Sequence, residues 1–324
     1  MRLLLGWSSE EDAVDDELLM VRVAELSYDE NKTQDEIGAL LGISRWKVGR
    51  LLTQARELGI VRIEIVHPRA RRLGLERTLV ERFGLTDAVV VPAPDDPAAV
   101  LERVARAAAD MLTALRPVPR ILAVSWGRTL TALAEALPDG WAHGITVVQA
   151  NGGVSLNRRS GGAASVAVTI AQRGAGQAVL LPSPAILERV ETKQAIEADR
   201  TVAAILEQAA HADTFLFTAG PCDPASAHVE NGYLTASDIA ELARRGAVGD
   251  LLGRYIDADG NIVDPQLDAR TVGVGLDRVR SASRAVFVTA GDAKHDIART
   301  VVSNGLCSVL VTDESTARAL LEEK

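Results

Sequence analysis

The chain has 324 residues, more than one average domain of roughly 100–200 residues, so two domains are expected. Its 47% hydrophobic, 24% charged and 3% aromatic composition excludes wholesale disorder and leaves Ala, Val and Leu to fill the core. A net charge of −9, taken alone, argues against nucleic acid as a partner, but the charge is unevenly placed. Residues 1–16 form an acidic tail, and residues 1–43 together carry eleven acidic side chains against three basic ones. Residues 44–72 reverse this, with eight basic side chains opposed only by Glu57 and Glu64.

From residue 17 the apolar pattern Leu18, Leu19, Val21, Val23, Ala24 and Leu26 predicts a first helix. Thr33, with Glu36 three positions on, forms a capping box that opens a second helix over 34–41. Gly42 ends that helix at a left-handed position, and Ser44 caps a third carrying Val48, Leu51, Leu52 and Ala55 inward. The third helix ends near Gly59, and residues 60–66 alternate as a strand. This order predicts a winged helix-turn-helix over 17–68. The outer side of the third helix would present Arg45, Trp46, Lys47, Arg50 and Gln54, with Thr33, Gln34 and Ser44 at the helix starts. Those eight are the candidate DNA-contacting residues, since Arg and Lys read base edges and hold phosphates from such a helix. Gly38 stands where such a helix usually has Ala, at a cost of roughly 1 kcal/mol in helix propensity.

Pro68 and the arginines around it read as a linker, followed by a connecting helix within 69–87 striped by Leu75, Leu79 and Phe83. Residues 88–324 then alternate apolar runs with helical segments. Strands are predicted at 89–91, 121–125, 146–149, 178–181, 214–218, 271–274, 286–289 and 308–311. Continuous apolar strands between helices predict a doubly wound, mostly parallel α/β sheet, whose ligands bind beyond the strands' carboxyl ends. Ser125-Trp126-Gly127-Arg128-Thr129 follows a strand and opens a helix, the arrangement of an anion site at a helix N-terminus. Asn151-Gly152-Gly153 is a candidate backbone nest, Lys294 a further cation, and Asp250 and Asp257 candidate acceptors for sugar hydroxyls. The candidate effector residues are therefore Gly127, Arg128, Thr129, Asn151, Gly152, Gly153, Asp250, Asp257 and Lys294. Together they predict a phosphosugar pocket.

Several sites are not expected. The five histidines show no metal spacing, and Asp257-x-Asp259-Gly260 lacks the later ligands of a calcium loop. Cys222 and Cys307 allow no disulfide framework and fit free thiols in a reducing cytoplasm. No apolar run approaches the roughly 20 residues of a membrane span, and neither a cofactor nor a membrane partner is expected.

The segment Thr33-Gln34-x-x-Ile37-x-x-x-Leu41-Gly42-Ile43-Ser44-Arg45-x-x-Val48-x-Arg50-Leu51-Leu52, with Ala55-Arg56-Glu57-x-Gly59-Ile60-Val61, resembles the DNA-binding domain of the SorC family of bacterial sugar-responsive transcription regulators. Blocks along the rest of the chain, at 125–130, 151–154, 181–185, 246–250, 257–260 and 310–314, resemble the same family. Trp46 stands where the family commonly has Pro. The resemblance implies a homotetramer and an effector domain similar to sugar-phosphate isomerases and glucosamine-phosphate deaminases. It also implies binding to a double-stranded DNA operator under the control of a small sugar phosphate. The alternative is an isomerase-like or deaminase-like enzyme with an appended DNA-binding module, using Asp250 or Asp257 as base and Lys294 as electrostatic aid.

Overall fold

The computed structural model describes residues 10–61, 70–153 and 163–322. The chain divides into two compact units, residues 1–67 and 68–324.

The first unit holds α1 (Glu10–Tyr28), α2 (Gln34–Leu41) and α3 (Arg45–Glu57). Thr33 and Glu36 make the reciprocal capping box, and Ser44 Oγ accepts the Lys47 N–H at 3.2 Å. Gly42, at φ 65°, closes α2. Val23, Ile37, Val48 and Ala55 are fully buried where the three helices meet, and Ile60 and Val61 pack against them. Gly38 is not a tolerated exception to alanine. A Cβ there would lie 2.7 Å from the Ile43 carbonyl oxygen, so the tight turn requires its absence. The expected strand lies outside the described residues beyond Val61, and α1 begins within the acidic stretch assigned to a tail.

The second unit opens with α4 (Leu73–Phe83), β1 (Asp87–Val91), α5 (Pro97–Ala114), β2 (Ile121–Val124), α6 (Arg128–Ala136) and β3 (Thr146–Gln149). It continues through α7 (Ala163–Arg173), β4 (Gln177–Val179), α8 (Val190–Ala198), α9 (Arg200–Ala210) and β5 (Thr214–Phe217). Next come β6 (Ala219–Pro221), α10 (Ala227–Glu230), α11 (Ala236–Arg244), β7 (Gly249–Leu251), β8 (Arg254–Ile256) and α12 (Pro265–Asp268). The unit closes with α13 (Leu276–Ser281), β9 (Ala285–Val288), a 3-10 turn at Asp292–Lys294, α14 (His295–Ser303), β10 (Val309–Asp313) and α15 (Glu314–Leu321).

Among the described residues seven strands form one parallel sheet in the order β1-β10-β9-β5-β2-β3-β4. Successive strand residues point to opposite faces, and each face is covered by helices. On one side Phe215, Phe217 and Phe287 pack with Leu79 of α4, Ala209 of α9 and Val301 of α14. On the other, Leu216, Val286 and Val288 pack with Leu112, Leu130 and Ile170 of α5, α6 and α7. This is the doubly covered α/β sheet expected from the sequence.

Two local expectations change, and one element is new. The connecting helix is part of the second unit: Leu79 is fully buried, and the buried Glu76 carboxylate accepts the Val90 N–H at 2.9 Å. With the Arg72 N–H donating to the Val90 carbonyl, that contact closes the outer edge of β1. Residues 271–274 are not a strand; they make single bridges, Thr271 to Ile186 and Gly273 to Asn151. In their place a small antiparallel sheet, β6-β7-β8, lies outside the main one. It packs Tyr255 against Ile239 and Leu242 of α11.

Candidate functional site

The sheet order reverses between two neighbouring strands. β2 leads outward to β3 and β4, whereas β5, on its other side, leads to β9 and β10. Loops leaving two such strands diverge to opposite faces and open a crevice at the strands' carboxyl ends. A cavity of about 400 Å³ lies there, lined from the loops after β2, β3, β5 and β9 and from the β6-β7-β8 sheet.

One end is cationic. Gly127, at φ 136°, makes the turn from β2 into α6, and no side chain among the described residues caps that helix. Its first N–H groups are therefore available to an anion, with the helix dipole behind them. Arg128 and Thr129 follow at once. Lys294, brought over by the loop after β9, places Nζ 3.2 Å from Thr129 Oγ1 and 3.4 Å from Thr218 Oγ1. Burial, then the neighbouring Arg128 charge, push the Lys294 ammonium down to about 8, against a smaller opposing effect of Asp250. The loop itself is held by Asp313 at the end of β10, whose carboxylate accepts the Gly291 N–H at 3.0 Å and both donors of Thr316.

A second part of the lining is a polar cluster. The Asp250 carboxylate accepts the Gly253 N–H at 3.0 Å through Oδ2, while Oδ1 lies 3.8 Å from His228 Nδ1. A Cβ on Gly220 would come within 2.3 Å of that Oδ1, so glycine is what admits the carboxylate. His228 Nδ1 also meets the Tyr255 hydroxyl at 3.0 Å, and burial followed by the Asp250 charge holds that phenol neutral. Trp126 stands edge-on to His228 at 5.8 Å and donates its indole N–H to the Gly152 carbonyl at 2.8 Å. Asn151 is buried at the cavity wall, with no donor to its Oδ1 among the described residues. A polyhydroxylated ligand could satisfy that acceptor.

Of the nine candidate effector residues, the structure brings six to this cavity: Gly127, Arg128, Thr129, Asn151, Asp250 and Lys294. Gly152 and Gly153 do not form the expected nest. Their N–H groups donate to the carbonyls of Val272 and Ser183, and a Cβ on Gly152 would strike the Pro184 carbonyl at 2.1 Å. These are glycines of close packing. Asp257 also lies outside, accepting the N–H groups of Asp259 and Asn261 to shape a turn. Sequence reasoning passed over His228 and Thr218 as site residues and named Ser125 and Trp126 only as parts of a motif; no local signal marks His228.

In the first unit, α3 turns Val48, Leu51, Leu52 and Ala55 inward and leaves Arg45, Trp46, Arg50 and Gln54 exposed, with Lys47 half-buried. Arg45 pairs with Asp35 at 3.3 Å, an exposed contact worth little and easily exchanged for a phosphate. The Thr33 and Ser44 hydroxyls serve as helix caps, and Gln34 lies beside Gly49, where a Cβ would approach its Oε1 to 3.4 Å. Among the described residues no cluster of His, Cys, Asp or Glu could hold a metal ion, and no helix is long and apolar enough to cross a membrane.

A helix-turn-helix unit with a basic outer helix, carried on the same chain as an α/β unit with a ligand cavity, defines a ligand-responsive transcription regulator. Comparison with known proteins agrees. The sugar-binding domain family matches residues 67–322. The deoxyribonucleoside regulator of Bacillus subtilis is 31% identical over 306 residues, covering 94% of this chain and 97% of its own. The transcriptional regulator LsrR of an Enterobacter species is 31% identical over 313 residues, covering 95% and 94%. The crystal structure of the full-length sorbitol operon regulator SorC from Klebsiella pneumoniae superposes with a TM-score of 0.71 at 28% identity, covering 95% of this chain and 99% of that one. The chain belongs to the SorC family of sugar-binding transcriptional regulators.

Proposed function

We propose that a small phosphorylated sugar occupies the cavity at the ends of β2, β5 and β9 and changes the protein's affinity for a double-stranded DNA operator. The observation that carries this reading is that one cavity is lined by two kinds of group. Arg128, Lys294 and the uncapped start of α6 suit a phosphate, while Asp250 and Asn151 suit hydroxyls. The regulated genes on this reading serve carbohydrate uptake or catabolism, as the names of the relatives suggest for those proteins. We further propose a cytoplasmic homotetramer that needs no cofactor. A ligand alters DNA affinity only by favouring one arrangement of the assembly over another, and paired half-sites multiply a weak single contact.

The test is a thermal-shift screen pairing each sugar phosphate with its neutral sugar, followed by operator-binding anisotropy with every hit. Phosphorylated hits alone should raise the melting temperature and alter anisotropy, and Arg128→Ala should abolish both effects while leaving DNA affinity intact. A normal response in Arg128→Ala removes the assignment. Light scattering should give the mass of four chains.

A second, catalytic reading rests on Asp250, His228 and Lys294 sharing one cavity. It fails if NMR shows a bound sugar phosphate chemically unchanged after long incubation.

A further inference from the structure

Trp46 is 89% exposed, the most exposed of the large apolar side chains among the described residues. It is the second residue of α3, between Arg45 and Lys47, on the side away from the buried Val48, Leu51 and Ala55. The first turn of α3 contains no acidic residue and two cations. Positive charge at the positive end of a helix is unfavourable within the free protein, which marks this end as built for an anionic partner. An indole displayed there belongs to the surface that meets the DNA, and the groove offers it little apolar chemistry. Base edges in the major groove present hydrogen-bonding groups, with one strongly apolar feature, the thymine C5-methyl. The face continues past Gly49, one turn along from Trp46 and beside the Gln34 side chain, to Arg50.

From these observations we infer that Trp46 is a specificity-determining residue that packs its indole against the C5-methyl of a thymine in each operator half-site. Arg45 and Lys47 beside it contact base edges or the adjacent phosphates, whereas Trp46 is selective for the methyl group. The inference rests on the DNA-binding role of α3 and is separable from the identity of the effector.

The test uses the full-length protein and an operator recovered by selection from genomic fragments and footprinted. Thymidines in the footprint are replaced one at a time by deoxyuridine, which removes only the methyl group. For the wild-type protein, one thymine per half-site should lose about fourfold in affinity, the effect of burying one methyl-sized group. Trp46→Ala should bind the unmodified operator roughly tenfold more weakly and be indifferent to deoxyuridine at that position. Trp46→Phe should retain the methyl dependence. Because the side chain is exposed, the variants should melt with the wild type, and Arg50→Ala should weaken binding while keeping the deoxyuridine effect. The inference is overturned if no thymine shows a methyl dependence that Trp46→Ala abolishes. Equal weakening on both DNAs would place the indole on the sugar-phosphate backbone; unchanged affinity would place it against another protein.

Discussion

Replacing Lys294 with Met should stabilise the unliganded second unit while destroying its response to a sugar phosphate. The ammonium titrates near 10.5 when solvated and at about 8 in the folded protein, because burial and Arg128 disfavour its charge. Folding therefore carries a penalty that is complete below pH 8, fades between pH 8 and 10.5, and is absent above. At about 1.4 kcal/mol per pH unit this amounts to roughly 3 kcal/mol at pH 7. Methionine keeps the length of the side chain but forfeits the hydrogen bonds to Thr129 and Thr218, each worth about 1 kcal/mol. A net gain of about 1 kcal/mol remains, or a rise of roughly 2–4 °C for a unit of this size. Scanning calorimetry of both proteins at pH 7 and pH 10 reads this directly: at pH 10 the penalty falls to roughly 1 kcal/mol, so the advantage of the variant turns into a deficit of about 1 kcal/mol. A Lys294→Met protein less stable than wild type at pH 7, or a difference independent of pH, would refute the reasoning.

The same ammonium sets a pH dependence for effector binding: if the charged form binds phosphate, affinity measured by calorimetry should be level from about pH 7 to 8 and fall roughly tenfold per unit above it. Gly38→Ala should destabilise the first unit by about 1–2 kcal/mol, because the new Cβ meets a backbone carbonyl at 2.7 Å; stabilisation by about 1 kcal/mol in circular-dichroism melts, the propensity result, would show the turn can relax. Asp313→Asn removes an acceptor from the loop that carries Lys294. It should weaken effector binding about tenfold, with ligand-free operator affinity unchanged by anisotropy. Arg45→Ala with Arg50→Ala should lower the slope of log affinity against log salt by roughly one for each phosphate these arginines neutralise; an unchanged slope in a folded variant would exclude α3 as the DNA-facing helix.

What the sequence conveyed about this protein was whatever is decided within a few residues. The bounds of α2 were legible because Thr33, Glu36 and Gly42 settle them locally, through caps that need no tertiary partner. The main strands were legible because a strand buried on both faces must be apolar throughout. Failures fell where the deciding partner is remote in sequence. Gly38 looked like a poor helix residue until the Ile43 carbonyl was seen beside it, and Gly152 looked like a nest until Pro184 and Val272 occupied its surroundings. The strands β6, β7 and β8 are three residues each and contain Gly, Pro, Asp and Arg, too short for a period to register.

Asp250 and Asp257 show why the cavity was half legible. Seven residues apart, both precede glycine-bearing turns and both could accept hydroxyls. The β7–β8 hairpin separates them, turning Asp250 inward past Gly220 towards His228 and leaving Asp257 to organise its own turn. The cationic end was easier to read because its chemistry is tied to strand ends: a βα loop with Gly and Arg, and a lysine after a later strand, must gather at the carboxyl edge of a parallel sheet. Which loops become neighbours depends on strand order, and the order β9-β5-β2 is what sets Lys294 against Thr129 and Thr218. The same juxtaposition crowds Lys294 against Arg128. A phosphate dianion would relieve that repulsion and a neutral sugar would not, which is the support that strand order lends to the proposed phosphorylated effector.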